Sequence, residues 1–433
     1  MPPLNILISG AGIAGSALAF WLSKLGHDVT VVERFPSLRA TGLQVDLRGH
    51  GIEVMRRMGL EPAFRSKAAP ERGLQVVDKS GKRRAYFPAN KSGQGLQSFT
   101  SDFEIMRGDL CRLLHDAAKE LGAKYVFGTA AESFTENGSA VEVRFTNGKM
   151  DRFDLWVGAD GQGSHTRKMM RGPDTADAFY PLGDYVAYFT IPQPIQQGEE
   201  YIATMYMAPG GRGVMTRRHS PHAIQVYLGC KTYVEPLKSV RRGDIEGEKK
   251  ALAAIYQGAG WRMEEILKAM VEGADNYYGE RLGLVKLESW SHGRVALVGD
   301  AAYCPSAKTG MGTTAGLVGA YVLAGEIGRH CGQSDRGDAS GKLDGEAASG
   351  LRAALEAYER KFQPFMHQVQ KGIKADEEGD WDMMPSTPFA IAVMNWALGV
   401  VAFLRLNVLG EWLLRENVKG WDLPKYEEML GSE

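Results

Sequence analysis

The chain has 433 residues, and this length predicts at least two packed units because one hydrophobic core rarely organises so many residues. Its 44% hydrophobic and 24% charged residues and its formal net charge of -1 are those of an ordinary globular protein, which excludes a polycationic nucleic-acid binder. The four cysteines show neither metal-ligand nor disulfide-framework spacing, so we expect no metal site. Reduced thiols and an N-terminus that enters a strand at once predict a cytoplasmic protein.

The first elements form a strand-turn-helix pattern of the kind that binds dinucleotides. A short apolar run leads into a turn of small residues: Gly10, Gly12, Ala14 and Gly15. In such a turn the first glycine permits a tight reversal, the second lets backbone amides approach a pyrophosphate, and the third lets the helix pack on the strand. A second strand-like run ends in Glu33, about 20 residues further on, where an acidic residue is expected to hold a ribose hydroxyl. A nucleotide site is therefore favoured over a glycine turn with no ligand.

The middle of the chain changes from helical to sheet-like patterns. A helical pattern opens with the run from Glu104 to Leu110 and continues to Gly122, which is a plausible stop. The next strand-like runs are separated by Asn-Gly turns and predict an antiparallel meander: residues 125–127, 141–145 and 153–157. Alternating patterns then predict a second, inserted sheet domain, with these strands: residues 185–191, 201–207 and 223–228.

Two further turns follow strand-like runs that end in an acidic residue. The carboxylate of Asp160 suits either a helix start or a cofactor hydroxyl, and that of Asp300 is placed to accept a hydrogen bond from a cofactor hydroxyl. Beyond Asp300, residues Gly310, Met311 and Gly312 open a helix whose amides can meet a negatively charged ring edge. Each turn is common by itself, whereas the occurrence of all three in this order is a specific signature of a nucleotide site.

Two stretches near the C-terminus carry less information. Residues 331–349 are rich in small and polar residues and predict a mobile surface loop. Residues 389–404 are apolar and uncharged, but shorter than the ~20 residues that a membrane span needs. We expect a C-terminal helix buried against the domains and no membrane partner; interfacial membrane contact and a dimer surface are the alternatives.

Together these turns resemble the class A flavin-dependent monooxygenases of the p-hydroxybenzoate hydroxylase fold, and among them the tetracycline-inactivating monooxygenases and aromatic polyketide hydroxylases. The resemblance covers residues 4–375 and depends on three motifs: Gly10-x-Gly12-x-x-Gly15 with Glu33-Arg34; Asp160-Gly161 with Ser164 and Arg167; and Gly299-Asp300-Ala301-Ala302 followed by Gly310-x-Gly312. It implies an α/β fold, in which a Rossmann-like FAD-binding domain with a parallel sheet is interleaved with a β-sheet substrate domain and followed by C-terminal helices. The implied FAD-binding domain is discontinuous and spans residues 1–75, 100–175 and 286–380. The implied substrate-binding domain spans 76–99 and 176–285, and the C-terminal helical segment spans 381–433.

The resemblance also implies how the cofactor lies. By position, Glu33 holds the adenosine ribose, Arg34 and Arg107 lie along the FAD, Asp300 holds the ribityl chain, and Asp46 passes beside the flavin. In the family NADPH or NADH reduces the flavin without a Rossmann domain of its own. A flavin hydroperoxide then hydroxylates an aromatic or polyketide-like small molecule.

The third motif departs from the family at the reactive end of the flavin. Ala307 stands where the family has proline, and Met311 where it has glutamine. Lys308 either adds positive charge near the flavin or is a solvated loop residue. Because of these changes, an oxidase, dehydrogenase or oxidative cyclase that inserts no oxygen is a second hypothesis. A flavoprotein that binds a hydrophobic molecule without turning it over is a third.

Substrate contacts follow from the same resemblance. Tyr188 and Arg212 match positions that face substrate in the tetracycline-inactivating enzymes, and Ala307 adjoins them at the flavin. The structural alternatives are a packed strand tyrosine and a turn arginine. Three methionines are expected mainly in the core: Met205, Met207 and Met215. No catalytic base is assigned, and we expect a monomer or a homodimer.

Overall fold

The computed structural model describes residues 3–39, 42–89, 103–241, 243–331, 343–373, 385–404 and 418–430. Its strands are β1 Asn5–Ser9, β2 Asp28–Glu33, β3 Gln44–Asp46, β4 Gly73–Val77, β5 Arg83–Pro88, β6 Glu104–Met106, β7 Lys124–Phe127, β8 Ala131–Glu136, β9 Val141–Phe145, β10 Met150–Phe153, β11 Leu155–Gly158, β12 Phe179–Pro192, β13 Ala203–Ala208, β14 Arg212–Arg218, β15 Ala223–Lys231, β16 Asp275–Val285, β17 Ser291–His292 and β18 Val295–Leu297. Its helices are α1 Ile13–Lys24, α2 His50–Arg57, α3 Glu61–Ser66, α4 Arg107–Glu120, α5 His165–Arg171, α6 Ile245–Tyr256, α7 Met263–Gly273, α8 Asp300–Tyr303, α9 Gly312–Cys331, α10 Leu343–Gln370, α11 Pro388–Phe403 and α12 Glu427–Leu430.

A six-stranded sheet forms the first layer, in the order β17-β18-β11-β1-β2-β7. All its neighbouring strands run parallel except β17 and β18. Its central strand β1 is a nearly continuous apolar run because both of its faces are covered: Ile6 and Ile8 pack in the cluster that contains α1 and α9, and Leu7 packs with residues of β9 and β10. Helix α1 packs against α4 and α9, which fixes the first glycine turn beside the start of α9. The predicted α/β fold is confirmed.

The predicted antiparallel meander is wrong in two of its members. Strands β8, β9 and β10 form the three-stranded antiparallel sheet. The run at 125–127 instead belongs to β7, which pairs parallel to β2. The run at 153–157 spans the end of β10 and most of β11, and β11 pairs parallel to β1. Local patterns do not distinguish these pairings, because partner choice depends on contacts distant in sequence.

A seven-stranded sheet forms the second layer, in the order β16-β12-β15-β14-β13-β4-β5. Its strands come from residues 73–88 and 179–285. Side chains of β12 alternate between its faces: Tyr185 and Phe189 pack with α6 and α7, and Tyr188 faces the other way, across from Tyr227. We call the face that carries Tyr188 the open face.

The C-terminal helices close the structure. Helix α10 packs along α9, and α11 lies against β5 and β13. The expectation that α11 is buried is correct for one side only, because Ile391 packs into a cluster with Val76 and Met207 whereas Trp396 is exposed. None of the helices in the described ranges is long and apolar enough to cross a membrane. The predicted loop at 331–349 lies largely outside the described residues, and its last part, from Leu343, is helical.

Candidate functional site

The first glycine turn has no room for side chains at two positions. Gly10 has φ +110°, and a Cβ there would lie 2.6 Å from the carbonyl oxygen of Ala159. A Cβ on Gly15 would lie 2.0 Å from the carbonyl oxygen of Gly10. Gly12 is different, since its Cβ would meet only an Arg107 nitrogen at 4.0 Å. The space above Gly12 is therefore open, as a ligand that approaches the backbone requires.

Glu33 lies at the end of β2, directly beside this turn. One carboxylate oxygen accepts a hydrogen bond from the Ala11 amide at 3.0 Å, and the other accepts one from the Phe35 amide at 3.1 Å. These bonds fix the carboxylate next to the start of α1. The neighbouring Arg34 is exposed, with its guanidinium 5.1 Å from the centre of the Phe35 ring.

Two arginines meet at the open side of the turn. Arg107, the first residue of α4, lies near Gly12 and donates to the carbonyl oxygen of Arg39 at 3.4 Å. Burial, and next the positive charge of Arg107, lower the pKa of Arg39. Two cations brought together at a helix N-terminus favour an anion between them. The sequence analysis did not identify Arg39, because a single arginine outside any recognised motif gives no signal.

Asp300 brings the third motif to the same place. Gly299 has φ +68°, and a Cβ there would lie 2.7 Å from the Ala14 Cβ, so the turn packs directly on α1. Burial raises the pKa of the Asp300 carboxyl, while a hydrogen bond with the Cys304 thiol and the charge of Arg107 act in the opposite direction. A carboxylate buried this deeply needs hydrogen-bond donors.

A row of partly exposed residues connects the two motifs, and we call it the groove. Along it Ala14, Asp300, Gly310 and Gly312 keep partial exposure, although Ala11 and Met311 next to them are buried. The groove offers an anion site at one end, the partly exposed Asp300 carboxylate as an acceptor in the middle, and a helix N-terminus at the other end. These residues fit an extended dinucleotide with a pyrophosphate and a polyhydroxyl chain.

The loop at the far end of the groove is tightly constrained. Ser306 and Gly310 have φ values of +66° and +65°, and the Met311 amide donates to the Thr309 hydroxyl at 3.1 Å. Ala307 is exposed on this loop. Lys308 is not a solvated loop residue, because its side chain is largely buried. Its ammonium forms an ion pair with Asp184 of β12. The second layer is thereby tied to the loop.

Arg48 supplies another cation at this end and was missed in the sequence. Its Nε donates to Asp46 at 2.5 Å, and a Cβ on Gly310 would lie 3.8 Å from that nitrogen. Its backbone amide donates to the Thr314 hydroxyl at 3.0 Å, which joins the segment after β3 to the start of α9. Asp46 thus lies near the loop with its charge compensated, and its place beside the flavin stays a prediction.

Asp160 occupies the first of its two predicted places, at a helix start. Its carboxylate accepts hydrogen bonds from the amides of His165 at 2.8 Å and Thr166 at 3.0 Å, and from the Ser164 hydroxyl. The same segment positions Arg167, which is fully buried and donates to Asp177 at 2.9 Å. These contacts favour a structural role for Asp160.

The open face of the second layer carries an aromatic group near the groove. The Tyr188 ring lies 5.3 Å from Tyr227 and 6.3 Å from Tyr278, centre to centre. The guanidinium of Arg39 lies 5.3 Å from the Tyr278 ring centre, so this group borders the anion site. Tyr188 is 6% exposed, and its hydroxyl makes no hydrogen bond with any residue in the described part of the chain. A substrate that reaches this face meets an unused phenol group.

Arg212 does not lie on the open face. It pairs with Ala208, which packs against α6 and α7, and its guanidinium donates to the carbonyl oxygens of Pro209 and Ile255, both at 2.6 Å. The structure therefore supports the alternative of a turn arginine. The arginine that does lie on the open face of β14 is Arg217, in register with Gln225.

Arg217 is the centre of a buried charged network that could not be predicted from the sequence, because its members are more than a hundred residues apart from Arg217. It donates to Glu71 at 2.8 and 2.7 Å and to Glu104 at 2.8 Å. Glu104 also accepts from Gln44 across the β3–β6 pair. Burial raises the pKa of Glu104 to about 7; Arg217 opposes this shift, and the charges of Glu71 and Asp46 add to it.

This pKa predicts a pH dependence of stability. Since the folded chain holds the Glu104 proton more tightly than the unfolded chain, the stabilisation is full below the unfolded pKa near 4.5 and is lost as pH rises towards 7. The loss is roughly 3 kcal/mol in the free energy of unfolding. Glu104→Gln should flatten this dependence in urea unfolding at about pH 5 and about pH 8. The exposed Glu120→Gln serves as the control, and an equal pH slope in wild type and Glu104→Gln would refute the assignment.

Known proteins are similar to this chain over most of its length. A family model described as an FAD binding domain matches residues 4–343. The chain is 52% identical over 433 residues to the FAD-dependent monooxygenase asL4 of Sarocladium schorii, covering 99% of this chain and 100% of that one. It is 42% identical over 380 residues to the flavin-dependent monooxygenase eupH of Phoma sp, covering 84% and 85%. Among solved structures it is similar to the tetracycline destructase Tet(55), with a TM-score of 0.79, 27% identity, and coverage of 98% of this chain and 100% of that one.

Proposed function

The chain belongs to the FAD-dependent monooxygenases, and from this premise we propose that it uses NADH or NADPH and O₂ to hydroxylate a bulky aromatic or polyketide-like small molecule. The relatives support the chemistry, since asL4 and eupH are both described as flavin or FAD monooxygenases. The solved relatives support the substrate class, because the names of Tet(55) and Tet(51) say that they act on tetracycline.

The groove carries the proposed cofactor contacts. Glu33 holds the adenosine ribose, Arg39 and Arg107 hold the pyrophosphate, and Asp300 holds the ribityl chain. Bound FAD supplies the electron transfer and the activation of O₂. The protein's part is to fix the ring, place the substrate and keep water away.

The loop at the flavin end provides positive electrostatic potential. The N-terminus of the 20-residue helix α9 begins at Gly312, and Arg48 lies beside Gly310. The helix N-terminus favours negative charge on a ring placed there, whereas the charge of Arg48 is compensated by Asp46. Met311 is 1% exposed and closes the inner side of the loop with an apolar side chain, which excludes water in place of the glutamine usual in the family.

The observation that carries the substrate proposal is the free hydroxyl of Tyr188 on the open face. Placed among Tyr227 and Tyr278, it can stack an aromatic substrate and donate one hydrogen bond to it. Burial raises the pKa of Tyr188, so the phenol stays protonated and acts as a donor.

A direct test of the function begins with purification and identification of the released flavin. The proposal predicts a yellow protein that oxidises NADH or NADPH faster when a phenolic polyketide from a substrate panel is present. The ratio of the two rates identifies the nicotinamide used. A protein whose flavin is not reduced by either nicotinamide with any panel member would instead support a binding protein.

Tyr188→Phe tests the substrate contact. We expect kcat/KM to fall about tenfold, the value of one neutral hydrogen bond, with unchanged FAD content. Tyr185→Phe is the matched control on the opposite face of β12, where the Tyr185 hydroxyl contacts Tyr277 at 3.1 Å. That change should lower stability and leave kcat/KM unaltered. Equal effects of the two variants on kcat/KM would show that Tyr188 does not contact the substrate.

A further inference from the structure

Helix α11 presents an apolar stripe to solvent. Phe389, Trp396 and Phe403 are 79%, 71% and 86% exposed, and Val393 and Val400 between them are also exposed. Their spacing of four, three, four and three residues places all five on one side of the helix. The 16 residues of α11 contain no charged side chain. Contiguous exposed aromatic side chains of this kind mark an interaction surface.

A cluster of cations lies beside the stripe, on the turn between β4 and β5 and the first two residues of β5. Lys79, Lys82, Arg83 and Arg84 are all exposed there. Arg84 forms an ion pair with Asp78 at 2.5 Å, whereas Lys79 and Lys82 have no acidic partner in the described part of the structure. We call these four residues the basic tip.

The basic tip and the stripe adjoin one another. A Cβ on Gly399 would lie 2.8 Å from the Arg84 carbonyl oxygen, which brings α11 onto the tip. A groove of about 890 Å³ runs between them, lined by Lys79 and Arg84 on one side and by Trp396 and Phe403 on the other. Asn395 also lines it, 7% exposed, and its amide oxygen has no hydrogen-bond partner among the described residues. An apolar surface, the ammonium of Lys79 and the Arg84–Asp78 ion pair thus border one opening.

We propose that α11 and the basic tip dock the enzyme onto an anionic phospholipid bilayer, with the helix lying in the plane of the interface. The stripe enters the boundary between headgroups and acyl chains, where tryptophan and phenylalanine partition favourably. The basic tip lies at headgroup level and attracts the negative surface. An enzyme held there has direct access to apolar substrates dissolved in the membrane.

The dimensions of the stripe disfavour a second copy of the chain as its partner. A helix of 16 residues is about 24 Å long and, at a width of ~10 Å, offers roughly 240 Å². A stable protein partner buries about 800 Å² on each side. The basic tip gives a further reason, since the charges beside the stripe complement an anionic surface and a like-charged copy would repel them.

The test is co-sedimentation of the FAD-loaded enzyme with vesicles of phosphatidylcholine, either alone or with about one third phosphatidylserine. We expect binding to the anionic vesicles, weakened by high salt. The combined variant Phe389→Ser, Trp396→Ser, Phe403→Ser should reduce the bound fraction at least tenfold. Lys79→Gln with Lys82→Gln should reduce the partition coefficient about fivefold for each lysine. Val271→Ser, at an exposed apolar residue away from the stripe, should change nothing.

Each variant is first checked for its flavin absorbance and melting temperature, which these exposed positions should leave at the wild-type values. Absence of binding to anionic vesicles would overturn the proposal. Equal binding to neutral and anionic vesicles would show that the basic tip does not contribute to binding. A concentration-dependent dimer that the stripe variant abolishes, without vesicle binding, would assign the stripe to a second copy.

Discussion

Asp300→Asn should weaken FAD binding about 10- to 100-fold, the effect of losing a hydrogen bond to a charged group. The cofactor-free protein should at the same time become more stable. Because burial raises the pKa of Asp300, the ionised carboxylate destabilises the cofactor-free fold above the unfolded pKa, and asparagine removes that cost. A ribityl hydroxyl offers the donor that this carboxylate needs, so cofactor affinity and stability without cofactor should move in opposite directions.

The measurement is titration of FAD into the cofactor-free variant, together with its thermal unfolding near neutral pH. Asp116→Asn, at a carboxylate that is 69% exposed, is the control and should change neither quantity. A variant that loses affinity and stability together would show that Asp300 acts by supporting the fold. Unchanged affinity would show that the ribityl contact is misplaced.

Gly12→Ala should abolish FAD retention while the protein stays folded. The backbone of Gly12 has φ -78° and ψ -170°, which any residue adopts, and a methyl group there meets only the Arg107 side chain at 4.0 Å. Stability without cofactor should therefore change by less than about 1 kcal/mol. The methyl group would occupy the space that the pyrophosphate needs, and we expect a loss in affinity of about 100-fold or more.

Gly15→Ala is the contrasting variant. Its methyl group would lie 2.0 Å from the Gly10 carbonyl oxygen, so it should lower stability as well as FAD content. Equilibrium dialysis of FAD and urea unfolding of both variants separate the two effects. If Gly12→Ala retained FAD with wild-type affinity, the pyrophosphate would not pass over this turn.

The parts of the fold that the sequence predicted are those with a local physical cause. The three turns are recognisable because Gly10, Gly161 and Gly299 have positive φ, and because Gly15 packs directly against the carbonyl oxygen of Gly10. The end of helix α4 was predicted closely because Gly122 follows its last turn, whereas the predicted opening at Glu104 was wrong, since residues 104–106 form β6. Such requirements act over a few residues, and a single sequence records them.

The errors came from contacts between residues distant in sequence. Strands β7 and β11 read as members of a meander because nothing local shows that they pair with β2 and β1. Arg212 was predicted to contact substrate, and only the register with Ala208 reveals that it occupies the other face of the sheet from Arg217. The same limit applies to Glu104, whose role depends on Arg217 more than a hundred residues later.

Helix α11 illustrates a different limit. Its uniformly apolar sequence predicted burial, yet the sequence does not say how much neighbouring structure is available to cover it. The sheet covers the side that includes Ile391, and the side that includes Trp396 remains in solvent. Composition alone therefore cannot distinguish a core helix from a helix at an interface.

The most direct test of the central claim is a reaction under oxygen-18 gas with the nicotinamide and the best substrate from the panel, followed by mass analysis of the product. The account predicts that one oxygen-18 atom appears in the product for each NADH or NADPH consumed in coupled turnover. A product that has lost hydrogen and carries no oxygen-18 would contradict it, and would show that the altered loop around Ala307 and Met311 supports oxidation without oxygen insertion.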